Sequence, residues 1–173
     1  MIFPHIPLQI IPCRIASGVL SAIRRCGLAH FRKLLLAIDL SPESDLLISR
    51  VAKMYREDVD HLHVVHVIKR GLHDAPSVAA DPAESAHAQR LIDHTGIRLR
   101  ALLHRNGLEI SSDRIYLVSG EPSFEIKKLA REIAADLVIV GSHSKENDWL
   151  QLPGTTTNCV IQGISSDVMA VKV

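Results

Sequence analysis

The chain is expected to fold as an α/β domain, a five-stranded parallel sheet with helices on both faces. Three observations predict this. Short runs that are apolar at nearly every position alternate with longer stretches at helical spacing. Strands apolar at consecutive positions are buried on both faces, the condition of a parallel sheet covered by crossover helices. Finally, the run Val138-Ile139-Val140 breaks into Gly141-Ser142-His143-Ser144, and Gly154-Thr155-Thr156 then opens a helix. A strand, a glycine turn and a Gly-Thr helix start are how α/β proteins aim backbone N–H groups at an anion.

The elements follow in order. Residues 33–39 form a near-continuous apolar strand ending in the carboxylate of Asp39. Ser41-Pro42-Glu43 supplies an N-cap, a proline at the first helical position and an early acid. Leu47, Ile48, Val51, Ala52 and Tyr55 then predict a helix over about 42–56. Residues 61–68 are β-branched and apolar, a second strand, and 69–81, with Gly71 and Pro76, form a loop. A helix restarts at Asp81-Pro82-Ala83-Glu84. Its expected buried stripe is Ala88, Leu91, Ile92, Thr95, Leu99, Leu102 and Leu103, and Asn106-Gly107 ends it. The third strand is 114–118, and Gly120-Glu121-Pro122 turns into a helix with Ile126, Leu129, Ala130 and Ile133 inward. The fourth and fifth strands are 136–140 and 168–173, with a helix over about 155–162 between them. Ligands of such sheets bind at the carboxyl ends of the strands, where the strand order reverses. With the first and fourth strands as the central pair, Asp39 and the loop after Val140 meet at that edge.

Composition narrows the function. At 173 residues and 47% hydrophobic, the chain suits one domain with a real core. Basic and acidic residues nearly cancel, 20 against 19, leaving no electrostatic footprint for nucleic acid or an acidic membrane. Only six residues are Phe, Trp or Tyr, too few for base-stacking platforms, so the core is aliphatic. Cys13, Cys26 and Cys159 are odd in number and form no C-x-x-C, which favours a reducing compartment and a cytoplasmic location. The longest uncharged apolar stretch, 15–23, is too short to span a bilayer. Residues 1–38 hold no acid but carry Arg14, Arg24, Arg25, Arg32 and Lys33, with Pro4, Pro7 and Pro12 early. A signal-like reading is interrupted by Arg24-Arg25. Residues 1–30 are expected to be an extension, disordered or the product of a start called too early, with Leu28 as an alternative start. Residues 31–173 are the domain.

Much catalytic chemistry is absent. There is no G-x-x-x-x-G-K-[ST], no G-x-G-x-x-G after the first strand, no G-x-S-x-G and no H-E-x-x-H. On a strand His61 and His63 share one face and His66 takes the other, so the three do not converge on a metal. Cys159 lies in an apolar helical stretch and is expected in the core. Asp39 reads equally as a ligand contact and as a cap on the following turn. Lys145 is the one cation expected near a phosphate and reads as a solvated loop charge, so efficient phosphoryl transfer is not expected.

The segments Leu36-Ala37-Ile38-Asp39-Leu40-Ser41-Pro42-Glu43-Ser44, Leu62-His63-Val64-Val65-His66-Val67, Gly120-Glu121-Pro122 and Asp136-Leu137-Val138-Ile139-Val140-Gly141-Ser142-His143 stand out, together with the Gly154-Thr155-Thr156 helix start. In these segments, and in their order, residues 31–173 resemble the universal stress protein family. Residues 1–30 have no counterpart in it. The resemblance implies a Rossmann-like sheet of the adenine nucleotide alpha hydrolase kind, strand order 3-2-1-4-5. It also implies a stress-response homodimer in which the last strand pairs across the two-fold. Members of the ATP-binding class carry Gly, two residues, Gly, nine residues, then Gly-Ser or Gly-Thr. Here Gly141, Ser144 and Gly154-Thr155 hold those positions, with the spacing kept and the middle glycine replaced. Carried over by position, Asp39 would lie beside ribose and adenine and Val67 would present backbone to the adenine edge. Gly141 and Ser144 would line the phosphates, and Gly154, Thr155 and Thr156 would donate from the helix start. The implied cofactor is ATP, with Mg, or a related adenine nucleotide. The alternative is a dimeric interaction module of the same family that binds none.

Overall fold

A computed structural model describes residues 9–11, 31–54, 61–69, 82–142 and 155–173. Its elements are β1 (Gln9–Ile11), β2 (Leu34–Ile38), α1 (Ser44–Met54), β3 (Leu62–Lys69) and α2 (Pro82–Arg105), then a 3-10 turn (Ser112–Arg114). β4 (Ile115–Gly120), α3 (Pro122–Glu132), β5 (Leu137–Ser142), α4 (Thr155–Ile161) and β6 (Asp167–Lys172) follow. The strands form one sheet in the order β1-β6-β5-β2-β3-β4. From β2 to β6 every neighbouring pair is parallel. Counted from β2, that is the order 3-2-1-4-5, the expected fold.

One strand was not expected. β1 adds antiparallel to β6, with Gln9 opposite Ala170, Ile10 opposite Met169 and Ile11 opposite Val168. It lies inside the segment read as an extension. An apolar edge strand such as β6 needs cover, and over these three residues the chain's own start supplies it.

Strand alternation sorts the core into two layers. Leu34, Leu36 and Ile38 of β2 pack with Leu47, Ile48 and Val51 of α1 and Leu99 and Leu103 of α2. Leu35 faces the other way, onto Ile126 and Leu129 of α3 and Val160 of α4. Each fully buried aliphatic side chain contributes about 1.5–3 kcal/mol. The central strands are therefore fixed by side chains that nature could hardly expose. At the amino edge of the sheet Asp136 Oδ2 accepts from the backbone N–H groups of Arg32 (2.8 Å) and Lys33 (3.0 Å), tying the start of β2 to that of β5.

Two expectations need correction. Leu91, placed in the buried stripe of α2, is 47% exposed. α2 has 24 residues, about 36 Å at 1.5 Å per residue, and outreaches the eight-residue β3 beneath it. Among its described side chains Ile92 is half-buried and Thr95 is the first that is buried. Cys159 is also exposed, because the buried stripe of the short α4 runs through Thr157 and Val160. Gly107 ends α2 as expected, at φ +74°, with Leu108 N–H reaching back to Leu103 O at 3.0 Å.

Candidate functional site

β2 ends in a turn built by its own side chains. Asp39 Oδ1 accepts from Ser41 N–H at 3.0 Å and from the buried Ser44 hydroxyl at 2.7 Å. The capping role of Asp39 is thus realised. The same residue also lines a cavity. Leu40 between them is left-handed, φ 57°, a conformation that costs a non-glycine residue about 1–2 kcal/mol. Its carbonyl accepts from Arg98 Nη2 of α2 at 3.2 Å.

The cavity encloses about 770 Å³ at the carboxyl ends of β2, β3 and β5, within the range that holds nucleotide-sized ligands. Asp39, Val67, Gly141 and Thr156 all line it. Gly141 is not left-handed; a Cβ there would meet Leu47 and Val173 at 3.4 and 3.6 Å, ordinary contact. The glycine therefore matters as open space beside the cavity. Thr155 is the first residue of α4. Ser144 and Gly154 lie outside the described residues, as does Lys145.

Several lining residues escaped the sequence reading. Thr157, one position beyond the threonines singled out, donates its hydroxyl to Gly141 O at 2.9 Å and is buried, pinning α4 to β5. His66 lines the floor, and Leu91, His94, Thr95 and Arg98 of α2 form a wall. Lys69, expected to open a loop, is instead the last residue of β3 and also lines the cavity. Cations therefore stand at this rim where only Lys145 was expected, opposite the acids Asp39 and Glu43. A signal for the wall was present, since α2 is too long for its strand, but spacing alone does not say which helix end overhangs.

At the foot of α3, Glu121 caps the helix, accepting from Ser123 Oγ (2.6 Å) and Phe124 N–H (2.8 Å). The Ser123 hydroxyl, first, holds its pKa below the usual carboxylate value. Among the described residues no three His, Cys, Asp or Glu side chains gather as a metal site, and no helix is long and apolar enough to cross a membrane.

The family model for universal stress proteins matches residues 30–172. The chain belongs to the universal stress protein family. Universal stress protein A homolog 1 of Coxiella burnetii (strain RSA 493 / Nine Mile phase I) is 29% identical over 142 residues, spanning 82% of this chain and 96% of the relative. Homolog 2 of the same strain is 30% identical over 145 residues, 83% and 97% of the two chains. Among solved structures, the hypothetical protein MJ0577 superposes with a TM-score of 0.61 at 23% identity, over 82% of this chain and 96% of that one. The universal stress protein UspA from Lactobacillus plantarum gives 0.54 at 17%, over 81% and 97%. At these identities the solved structures establish the universal stress protein fold and nothing finer.

Proposed function

We propose that this universal stress protein domain binds ATP or a related adenine nucleotide, with Mg, and acts as a cytoplasmic, homodimeric regulator of the stress response. One observation carries the nucleotide reading. A single cavity joins Asp39 on β2, Val67 on β3, Gly141 on β5 and Thr156 on α4, residues 117 positions apart at the extremes, at the sheet edge where such folds take ligands. The start of α4, with Thr155 and Thr156 in its first turn, would offer backbone N–H groups to the anionic end of the ligand. Asp39 faces the sugar.

Titration calorimetry with Mg-ATP is the test. Wild-type protein is expected to bind at or below millimolar nucleotide, and Gly141→Leu, whose side chain projects beside Leu47 and Val173 into the cavity, is expected to lose at least tenfold. No heat at millimolar ATP, AMP or ADP overturns the reading. One feature favours the alternative of an interaction module without nucleotide: Ser144 stands where the binding class has glycine. Ser144→Gly raises affinity if the site is merely weakened, and leaves it absent if the module reading is right.

A further inference from the structure

His66 is one of the few polar side chains of the interior, only 9% exposed. It stands on β3 opposite Ile38 of β2, and its Nδ1 lies 2.7 Å from the Ile38 carbonyl oxygen. A carbonyl oxygen only accepts, so Nδ1 carries the proton, and in the neutral ring Nε2 is left as an acceptor. Among the described residues Nε2 has no hydrogen-bond partner. Buried polar atoms are almost always paired, and an orphan is costly. The ring lines the cavity, between Asp39 on the neighbouring strand and Val67 next in sequence.

We propose that His66 Nε2 is a specificity-determining acceptor that takes a hydrogen bond from a donor group of the bound ligand, a hydroxyl or an exocyclic amine. The main chain of β2 fixes the tautomer, so the site presents a lone pair at a defined place on the cavity floor. Ligands that offer only acceptors there are rejected. The inference rests on the nucleotide reading above and adds to it the residue that distinguishes one nucleotide from another. A purely structural role, tying β3 to β2, would need only Nδ1.

The test is calorimetry on the full chain at about pH 8, above the ordinary imidazole pKa. The ligands are ATP and three analogues lacking, in turn, the 6-amino group, the 2′-hydroxyl and the 3′-hydroxyl. Asparagine in His66→Asn can keep a donor at Ile38 O but offers no acceptor at the Nε2 position. It is expected to weaken ATP about tenfold, and His66→Gln, whose amide reaches the Nε2 position, to recover part of that loss. One analogue is expected to bind wild type about tenfold worse than ATP yet bind His66→Asn as well as ATP does. If every analogue falls by the same factor in wild type and His66→Asn, the acceptor role is overturned while nucleotide binding stands. If wild type binds no nucleotide, both readings fall. Should His66→Asn not fold by circular dichroism, the same comparison with His66→Gln decides. There, a partial loss of ATP affinity together with a reduced penalty for one analogue supports the role, and all three penalties left unchanged overturns it.

Discussion

His63 lays its ring on that of Tyr116, centroids 5.9 Å apart and 22° from parallel, with Nδ1 3.2 Å from the phenolic oxygen. Burial, and then the positive charges of Arg114 and Lys33, hold its pKa below the ordinary 6.5. Just below pH 6.5 the unfolded chain therefore binds more protons than the folded one. The stability tied to this group is complete above pH 6.5 and drains away as the pH falls toward the folded value. In His63→Phe the ring contact remains and the proton site is gone. The drop in melting temperature from about pH 7.5 to about pH 5.5 should therefore be smaller than in wild type; equal drops would remove His63 from the account. Carboxylates act in a separate, more acid window. Asp45 is held down by the Asn106 amide and then Arg105, Asp113 by the Ser111 hydroxyl, and Glu121 by Ser123, from ordinary values of 3.8, 3.8 and 4.5. Their stabilisation is present above those values and is lost below them. The long-range partnerships were not legible from residue types, because His63 meets Tyr116 across two strands and Asp45 meets Arg105 and Asn106 across two helices, and only the fold sets how these pack. Leu40 is the sharpest case. A leucine carries no sign that it will be left-handed, and its Arg98 tether lies 58 positions away.

Elements were far more legible than contacts. Among the described residues the helices and strands from β2 onward were readable within a few residues, because consecutive apolar positions, Pro122 and Gly107 report local geometry; the first helix begins at Ser44, two residues after the Pro42 expected to open it. Reading failed where an element's length met another's. Leu91 fits the helical stripe, but its partner strand has already ended at that height. Cys159 sits among apolar neighbours on a helix of seven residues, too short to stand alone. That helix is held from outside. Thr157 bonds Gly141 O, and Lys127 Nζ reaches the carbonyls of Cys159 (3.1 Å) and Gln162 (3.2 Å) at its far end. Thr157→Val preserves shape and deletes the hydroxyl. It should lower unfolding free energy by about 1 kcal/mol in urea titrations and weaken Mg-ATP. Unchanged stability would show that packing by Val160 alone docks α4. Asp39, Val67, Gly141 and Thr156 were identified from sequence and meet in the cavity; His66, Thr157 and Arg98 were not, since each earns its place through a contact with main chain elsewhere.

For the molecule as a whole, the outer edge of β6 can hold one strand at a time. β1 now pairs with Val168, Met169 and Ala170, the middle of the strand through which a second copy was expected to join. In an antiparallel ladder alternate residue pairs exchange the hydrogen bonds, so prolines at two successive positions remove a donor whichever alternation holds. Gln9→Pro with Ile10→Pro should release the edge, and light scattering should show the dimer, twice the 19.1 kDa of one chain, forming at lower protein concentration than in wild type. A variant whose mass matches wild type at every concentration would break the link between this edge and assembly. The other side of β6 bears on how the protein can be handled. Val173 N–H bonds Ser142 O at 3.1 Å, Arg50 holds the Lys172 carbonyl at 2.6 Å, and the Val173 side lines the cavity. Anything appended after Val173 therefore begins beside the cavity, whereas the Asp136 clamp on Arg32 and Lys33 lies at the opposite sheet edge, roughly 17 Å away along a five-residue strand. Affinity tags, dyes and surface tethers placed at the carboxyl end would crowd the same space that the proposed nucleotide needs.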